Sequence, residues 1–156
     1  MKLYRLERTQ ELNKNLDETW AFFSNPANLE KITPDDLNFK IVSPLPEKVY
    51  PGLLIEYKIT LPMGIPISWV TEIKHVEAPY LFIDEQRFGP YRFWYHEHRF
   101  QSSKTGTTMT DTLHYQMPFG FLGRLVHFLV VNEQLQNIFN FRFQYLEKFF
   151  NLPEKS

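Results

Sequence analysis

The sequence predicts an α+β fold: a curved antiparallel sheet wrapped around one long C-terminal helix, with two short helices after the first strand. Three observations predict it. Successive segments between residues 53 and 117 alternate apolar and polar side chains at the two-residue period of half-buried strands. The stretch 119–150 has no proline and carries apolar residues at helical spacing. Between the first strand and the rest lies a short run with helix-start and helix-stop signals.

Residues 2–12 read as the first strand. In NLDETWAFFSNPANLEKITP, Asn15 is a helix N-cap and Glu18, three positions on, completes a capping box. Trp20, Phe22 and Phe23 supply the buried face of this helix. Pro26 opens a second short helix, because proline suits a first turn, and Thr33-Pro34 ends it. FKIVSP (39–44) is a short strand. In GLLIEYKITLP, Leu53, Ile55, Tyr57, Ile59 and Leu61 share one face. In IPISWVTEIKHVEAP, Ile67, Trp69, Thr71, Ile73 and His75 do the same. YLFIDEQRF follows and ends at Gly89-Pro90, a turn signal. RFWYHEHRFQSS and TTMTDTLHYQMP flank Ser103-Lys104-Thr105-Gly106 as a hairpin. In the final helix, Leu122, Leu125, Leu129, Gln136, Phe139, Phe143, Leu146 and Phe150 mark the expected buried line.

The composition excludes several function classes. The net charge is −1, which lacks the basic surplus that nucleic acid requires. Without cysteine there is no disulfide framework, thiolate zinc site or cysteine nucleophile. MKLYRLERTQ shows no apolar signal region, so a cytoplasmic location is expected. The greasiest run, FLGRLVHFLVV, is interrupted by Arg124 and His127 and is too short to span a bilayer, so no stable membrane insertion is expected. Aromatic residues make up 17% of the chain, enough to line a cavity as well as fill a core.

In order along the chain, ITPDDLNFKIVSPLP, GLLIEYKI, ISWVTEI, FIDEQRFGPYRFWYHEHRF, GTTMTDTLHYQMPFGFLG and IFNFRFQYLEKFF resemble the SRPBCC superfamily. This is the helix-grip group of START, polyketide cyclase and birch-pollen-allergen proteins. More narrowly, the motifs are similar to the bacterial ligand-binding SRPBCC proteins. They cover nearly the whole chain, so residues 1–156 are expected to form a single domain. The resemblance implies a cavity between sheet and C-terminal helix. It does not imply one reaction, because relatives include carriers, cyclases and hydratases.

The chemistry concentrates in GPYRFWYHEHRF. As a strand, it puts Trp94, His96, His98 and Phe100 on one face and Phe93, Tyr95, Glu97 and Arg99 on the other. Glu97 and Arg99 are expected outside, so the histidine face looks inward. His96 and His98 leave the strand about 7 Å apart, and Asp111 in the next strand is their nearest candidate partner. Three readings stand: a metal site, an acid–base pair with His96 or His98 as general base, or polar groups that orient a ligand. No third ligand has metal-site spacing, so neither metal nor organic cofactor is expected. Trp69, Trp94, Phe100 and Tyr115 are the expected aromatic wall, with Tyr57 and Phe82 as further candidates. Arg124 and His127, three residues apart on the long helix, are candidates for a polar head group at the mouth. Only one of Asp84 and Glu85 can face inward, and the sequence leaves open which. The leading reading is binding, transport or sequestration of a small hydrophobic or amphipathic molecule by a monomer or homodimer. The alternative is a metal-independent cyclase or dehydratase acting on a polyketide-like or aromatic substrate. A regulator that docks a protein partner would instead show an exposed apolar patch.

Overall fold

The computed structural model describes residues 2–61 and 64–151. Strand β1 (Tyr4–Leu12) leads into helix α1 (Leu16–Phe23) and a 3-10 turn at Pro26–Leu29, with a second 3-10 turn at Asp35–Leu37. Then come β2 (Lys40–Ile41), β3 (Leu54–Leu61), β4 (Ile65–Glu77), β5 (Leu81–Phe88), β6 (Phe93–Ser102) and β7 (Thr107–Gln116). The last described element is a helix that runs from Gly120 to Asn151, composed of α2 (Gly120–Val126), a wide π-type turn (His127–Val131), α3 (Asn132–Leu146) and a second wide turn (Glu147–Asn151). The strands form one antiparallel sheet in the order β1-β7-β6-β5-β4-β3-β2. This is the α+β arrangement that the sequence predicts.

The local signals act as expected. The Asn15 side chain accepts from the Glu18 amide at 2.9 Å, and the Glu18 carboxylate accepts from the Asn15 amide at 3.3 Å. α1 thereby starts with two of its orphan donors satisfied. It buries Trp20, Phe22 and Phe23 against Phe82, Phe100 and Phe150. Asn25 caps the Pro26–Leu29 turn by accepting from the Ala27 amide. β6 and β7 form the hairpin, with His98 directly across from Asp111.

Two periodicities break. Ile73 pairs with Asp84 but His75 pairs with Ile83, so Lys74 is an extra residue in β4. A bulge of this kind inverts the face of every residue after it. His75, expected on the same face as Ile73, is exposed, and Val76 packs on the core instead. In the long helix, Leu122, Leu125, Leu129 and Phe143 are exposed rather than on the buried line, Leu129 lining a hollow with Leu37, Leu61 and Ile138. The line that faces the sheet is Gly123, His127, Val131, Leu135, Phe139, Arg142, Leu146 and Phe150. The cause is local. A Cβ at position 123 would lie 1.8 Å from the Pro118 carbonyl oxygen, so only glycine allows the helix to start this close to the chain that feeds it. One turn later, His127 fits against Tyr115 and Tyr4.

The second half of the helix is gripped by the sheet. Leu135 and Phe139 pack with Leu6, Leu113 and Tyr115, while Leu146 and Phe150 join the aromatic cluster under α1. β1 also ties it by polar contacts: Arg8 to Gln136, and Gln10 Nε2 to the Phe143 carbonyl at 3.0 Å. Phe100, fully buried between Trp20, Phe23 and Phe82, joins sheet to α1. Phe100→Ala is expected to lower unfolding free energy by about 3–5 kcal/mol in urea denaturation. A loss under about 1 kcal/mol would mean that this cluster is not part of the core.

Candidate functional site

β5, β6 and β7 each aim one or two polar side chains at the same inner face. Asp84 of β5 lies across from His96, and Asp111 of β7 lies across from His98. The sequence question of Asp84 against Glu85 is thus decided by register, for Asp84. His98 is held between the two carboxylates: Nε2–H donates to Asp84 Oδ2 at 2.9 Å, and Nδ1 lies 2.6 Å from Asp111 Oδ1. The second contact is close but off the N–H direction, so it acts as an ion pair rather than a well-aligned hydrogen bond. His96 is 3.6 Å from each carboxylate. The imidazoles lean together until their ring centres are 3.9 Å apart, well inside the spacing of their strand positions. Phe82 stacks on His98, and Trp94 and Phe139 pack on His96.

Arg142 comes down from α3 and donates to Asp111 Oδ2 at 3.4 Å. Sequence reasoning did not single it out. Its signal was present, since Phe139, Arg142, Leu146 and Phe150 recur at helical spacing on the buried line.

The environment separates the two histidines electrically. Burial pushes His96 down, as does the charge of His98 beside it, to a pKa of about 3. Burial alone would lower His98 too, but Asp111 and Asp84 outweigh it and raise the pKa to about 9. For Asp111 and Asp84, burial disfavours the charge, yet the histidines and Arg142 hold both carboxyls below their ordinary value. At neutral pH the site therefore contains two carboxylates, one imidazolium, one guanidinium and one neutral imidazole, and the charges cancel.

These groups form one end of a cavity of about 130 Å³ under the Pro26–Leu29 turn. Its polar end has Tyr57, Thr71, Asp84, His96, His98 and Arg142. Phe22, Phe23, Leu29, Ile32, Ile55, Ile73 and Phe82 supply its apolar wall, Trp94 also lines the space, and Asn25 and Asn28 line it at the turn. Tyr57 OH is paired with Thr71 Oγ1 at 2.9 Å, and burial raises its pKa far above the ordinary value, so it stays a phenol.

The other candidates do not line this cavity. Trp69 is behind the wall, donating its indole N–H to Thr71 Oγ1 at 3.1 Å and stacking on Tyr57. Phe100 is core. Asp111 reaches the cavity only through His98 and Arg142. Tyr115 OH pairs with His127 Nε2 at 2.8 Å, away from the cavity lining. Arg124 is exposed on α2, its guanidinium over the Phe121 ring.

Asp84, His96 and His98 offer three ligand atoms within 4.8 Å of one another, so the donor set has the reach for a divalent cation. To use it, His98 must give up a proton that two carboxylates hold, and the cation must tolerate Arg142 nearby. A proton on His98 and a cation at these atoms exclude each other.

Linkage makes this testable. His98, raised in the folded state, contributes stability that is complete below about pH 6.5 and lost as pH rises through 9. His96, lowered in the folded state, makes the unfolded chain the better proton acceptor below its ordinary 6.5, so stability also falls from there toward pH 3. Unfolding free energy is expected to peak near neutrality. His98→Gln should flatten the alkaline limb and His96→Gln the acid limb. Ring nitrogen NMR at pH 7 should show His98 doubly protonated and His96 neutral, unchanged by added zinc. A neutral His98 in those spectra would overturn the charge assignment and favour the metal.

No family model matches the chain, and no curated protein does. Solved structures match its fold over nearly its whole length. Protein CV1439 from Chromobacterium violaceum superposes with a TM-score of 0.72 at 10% identity, covering 96% of this chain and 99% of that one. Protein Ms6760 from Mycobacterium smegmatis gives 0.66 at 18% identity, covering 93% and 89%. Ara h 8.0201 gives 0.59 at 13%, covering 93% and 98%. Identities this low speak to fold alone, and the fold they share with this chain is the α+β helix-grip arrangement.

Proposed function

We propose that this protein binds a small amphipathic molecule in the cavity under the Pro26–Leu29 turn, to carry or sequester it. The observation that supports this reading is a single hollow that joins a wall of phenylalanine, leucine and isoleucine to the His96–His98 cluster. His96 lines this space and makes no hydrogen bond, its two nitrogens each standing 3.6 Å from a carboxylate. Buried polar atoms call for a hydrogen-bond partner, and a ligand's polar end would supply it. Because the charges of the cluster cancel, that end is a neutral group such as a hydroxyl or carbonyl. The cavity is of the order that takes one benzene-sized ring. Single-ring phenols and aryl ketones are the expected binders, followed by ligand-detected NMR. Leu29→Trp, which fills the space from the turn, should weaken binding at least about tenfold, or roughly 1.4 kcal/mol. Glu97→Gln, on the outer face of β6, should leave it unchanged. Equal binding by wild type and Leu29→Trp would remove the ligand from this cavity.

A second reading, an enzyme of the cyclase or dehydratase type, is favoured by the opposite protonation of two adjoining imidazoles. Neighbouring groups with pKa values pushed apart suit acid and base roles. In a dehydration, His96 would take the proton next to a carbonyl and His98 would protonate the departing hydroxyl, releasing water. Proton return from His96 to His98 would restore the starting state. The low pKa of His96 makes it a weak base, so slow turnover is expected. With a cyclic β-hydroxy ketone in deuterated water, this reading expects exchange or water loss that His96→Gln abolishes. Unchanged substrate after prolonged incubation leaves the carrier reading.

A further inference from the structure

The start of the long helix is built unlike the rest of it. Phe119, Phe121, Leu122, Leu125, Val126 and Phe128 are all exposed, with Phe119, Phe121 and Phe128 at 80%, 74% and 81%, whereas Leu129 and Val130 line a separate hollow with Leu37, Asp36 and Glu133. At about 100° per residue, those from Phe121 to Phe128 sweep roughly 160° of the circumference. A helix that packs into a protein groove presents a narrower apolar stripe. So broad a surface of greasy side chains suits a fluid apolar phase better than a shaped partner.

Backbone and charge agree with that. Phe119 has φ +60°, the left-handed region that a bulky residue rarely adopts, and this conformation holds its ring in the open. Beside Phe121, a hollow is lined by Lys2, Arg92 and Arg124 with Tyr4, Gln116, Met117 and Gly120, and no carboxylate lines it. None of the three cations forms a salt bridge among the described residues. Along the chain, no Asp or Glu occurs between Asp111 and Glu133. Among the described residues, no helix is long and apolar enough to cross a membrane. Three cations flanking a short apolar helix are the features of an element that lies in a bilayer interface, its rings at the acyl boundary and its cations on lipid phosphates.

We infer that α2 and the turn after it dock this protein on the surface of an anionic lipid bilayer, through Phe119, Phe121, Leu122 and Phe128 with Lys2, Arg92 and Arg124. The inference is independent of the cavity and its ligand. Full-length protein is to be sedimented with vesicles of phosphatidylcholine, with and without phosphatidylglycerol. Binding is expected to the anionic vesicles and to fall as salt rises. Arg124→Ala should lower the partition coefficient on the order of fivefold. Phe121→Ser with Phe128→Ser should abolish binding while the thermal melt and circular dichroism stay as in wild type; Phe128→Ser alone serves if the double variant does not fold. Absent binding, or equal binding to neutral and anionic vesicles, overturns the proposal. So does a dimer, seen by light scattering without lipid, that the two serine changes dissolve, for it assigns this face to a second copy of the chain.

Discussion

Asp84, Asp111, His98 and Arg142 place four charges where little water reaches, and the interior is arranged around holding them together. A buried ion is tolerated only with its partners in place; removing one member of such a set typically costs 3–5 kcal/mol. Here the partners come from four elements. β5, β6 and β7 must be in register to bring the carboxylates to His98, and α3 must lie across them to bring Arg142. Two apolar clusters flank this polar layer, one under α1 and one under the middle of the long helix. The network thus works as a register lock for sheet and helix together.

The same layer sets what the cavity can accept. With its charges balanced internally, it offers hydrogen-bonding atoms but no net field to capture an ion. His96 is the exception within the set. Desolvated and beside a cation, it stays neutral, and both its nitrogens stand 3.6 Å from a carboxylate without a hydrogen bond. That makes it the natural contact for a ligand's polar atom, and equally the natural proton acceptor if the site does chemistry. The carrier and enzyme readings therefore share one geometry and differ in whether a bound molecule has a labile proton within reach of His96.

The long helix divides its two ends between different tasks. From Val131 onward its buried line is continuous and ends in the phenylalanine cluster under α1. Before that, only Gly123 and His127 are buried, and the helix projects its apolar residues outward. A stable core at one end and an unpartnered apolar end at the other place the two prospective contacts of this protein, a small molecule and a surface, far apart along one rigid element.

Much of this was legible in the chain itself, because it depends on neighbours in sequence. The two-residue period put His96 and His98 inward and Glu97 and Arg99 outward, and the Asn15–Glu18 spacing fixed where α1 begins. The order of alternating segments and one long helix determined the fold class. Tertiary structure decided what depends on register and cover. Asp84 rather than Glu85 faces inward because β5 pairs with β6 in one register. His75 turned outward because one extra residue bulges β4, which no pattern of apolar residues announces. Leu122, Leu125 and Leu129 have helical spacing, yet spacing cannot say whether a sheet lies opposite, and here Gly123 and His127 make the contact. Arg142 lay on the buried line all along, but a charged residue there gains meaning only when a carboxylate from a distant strand meets it. Periodicity is a property of a segment, whereas partnership belongs to the packed molecule.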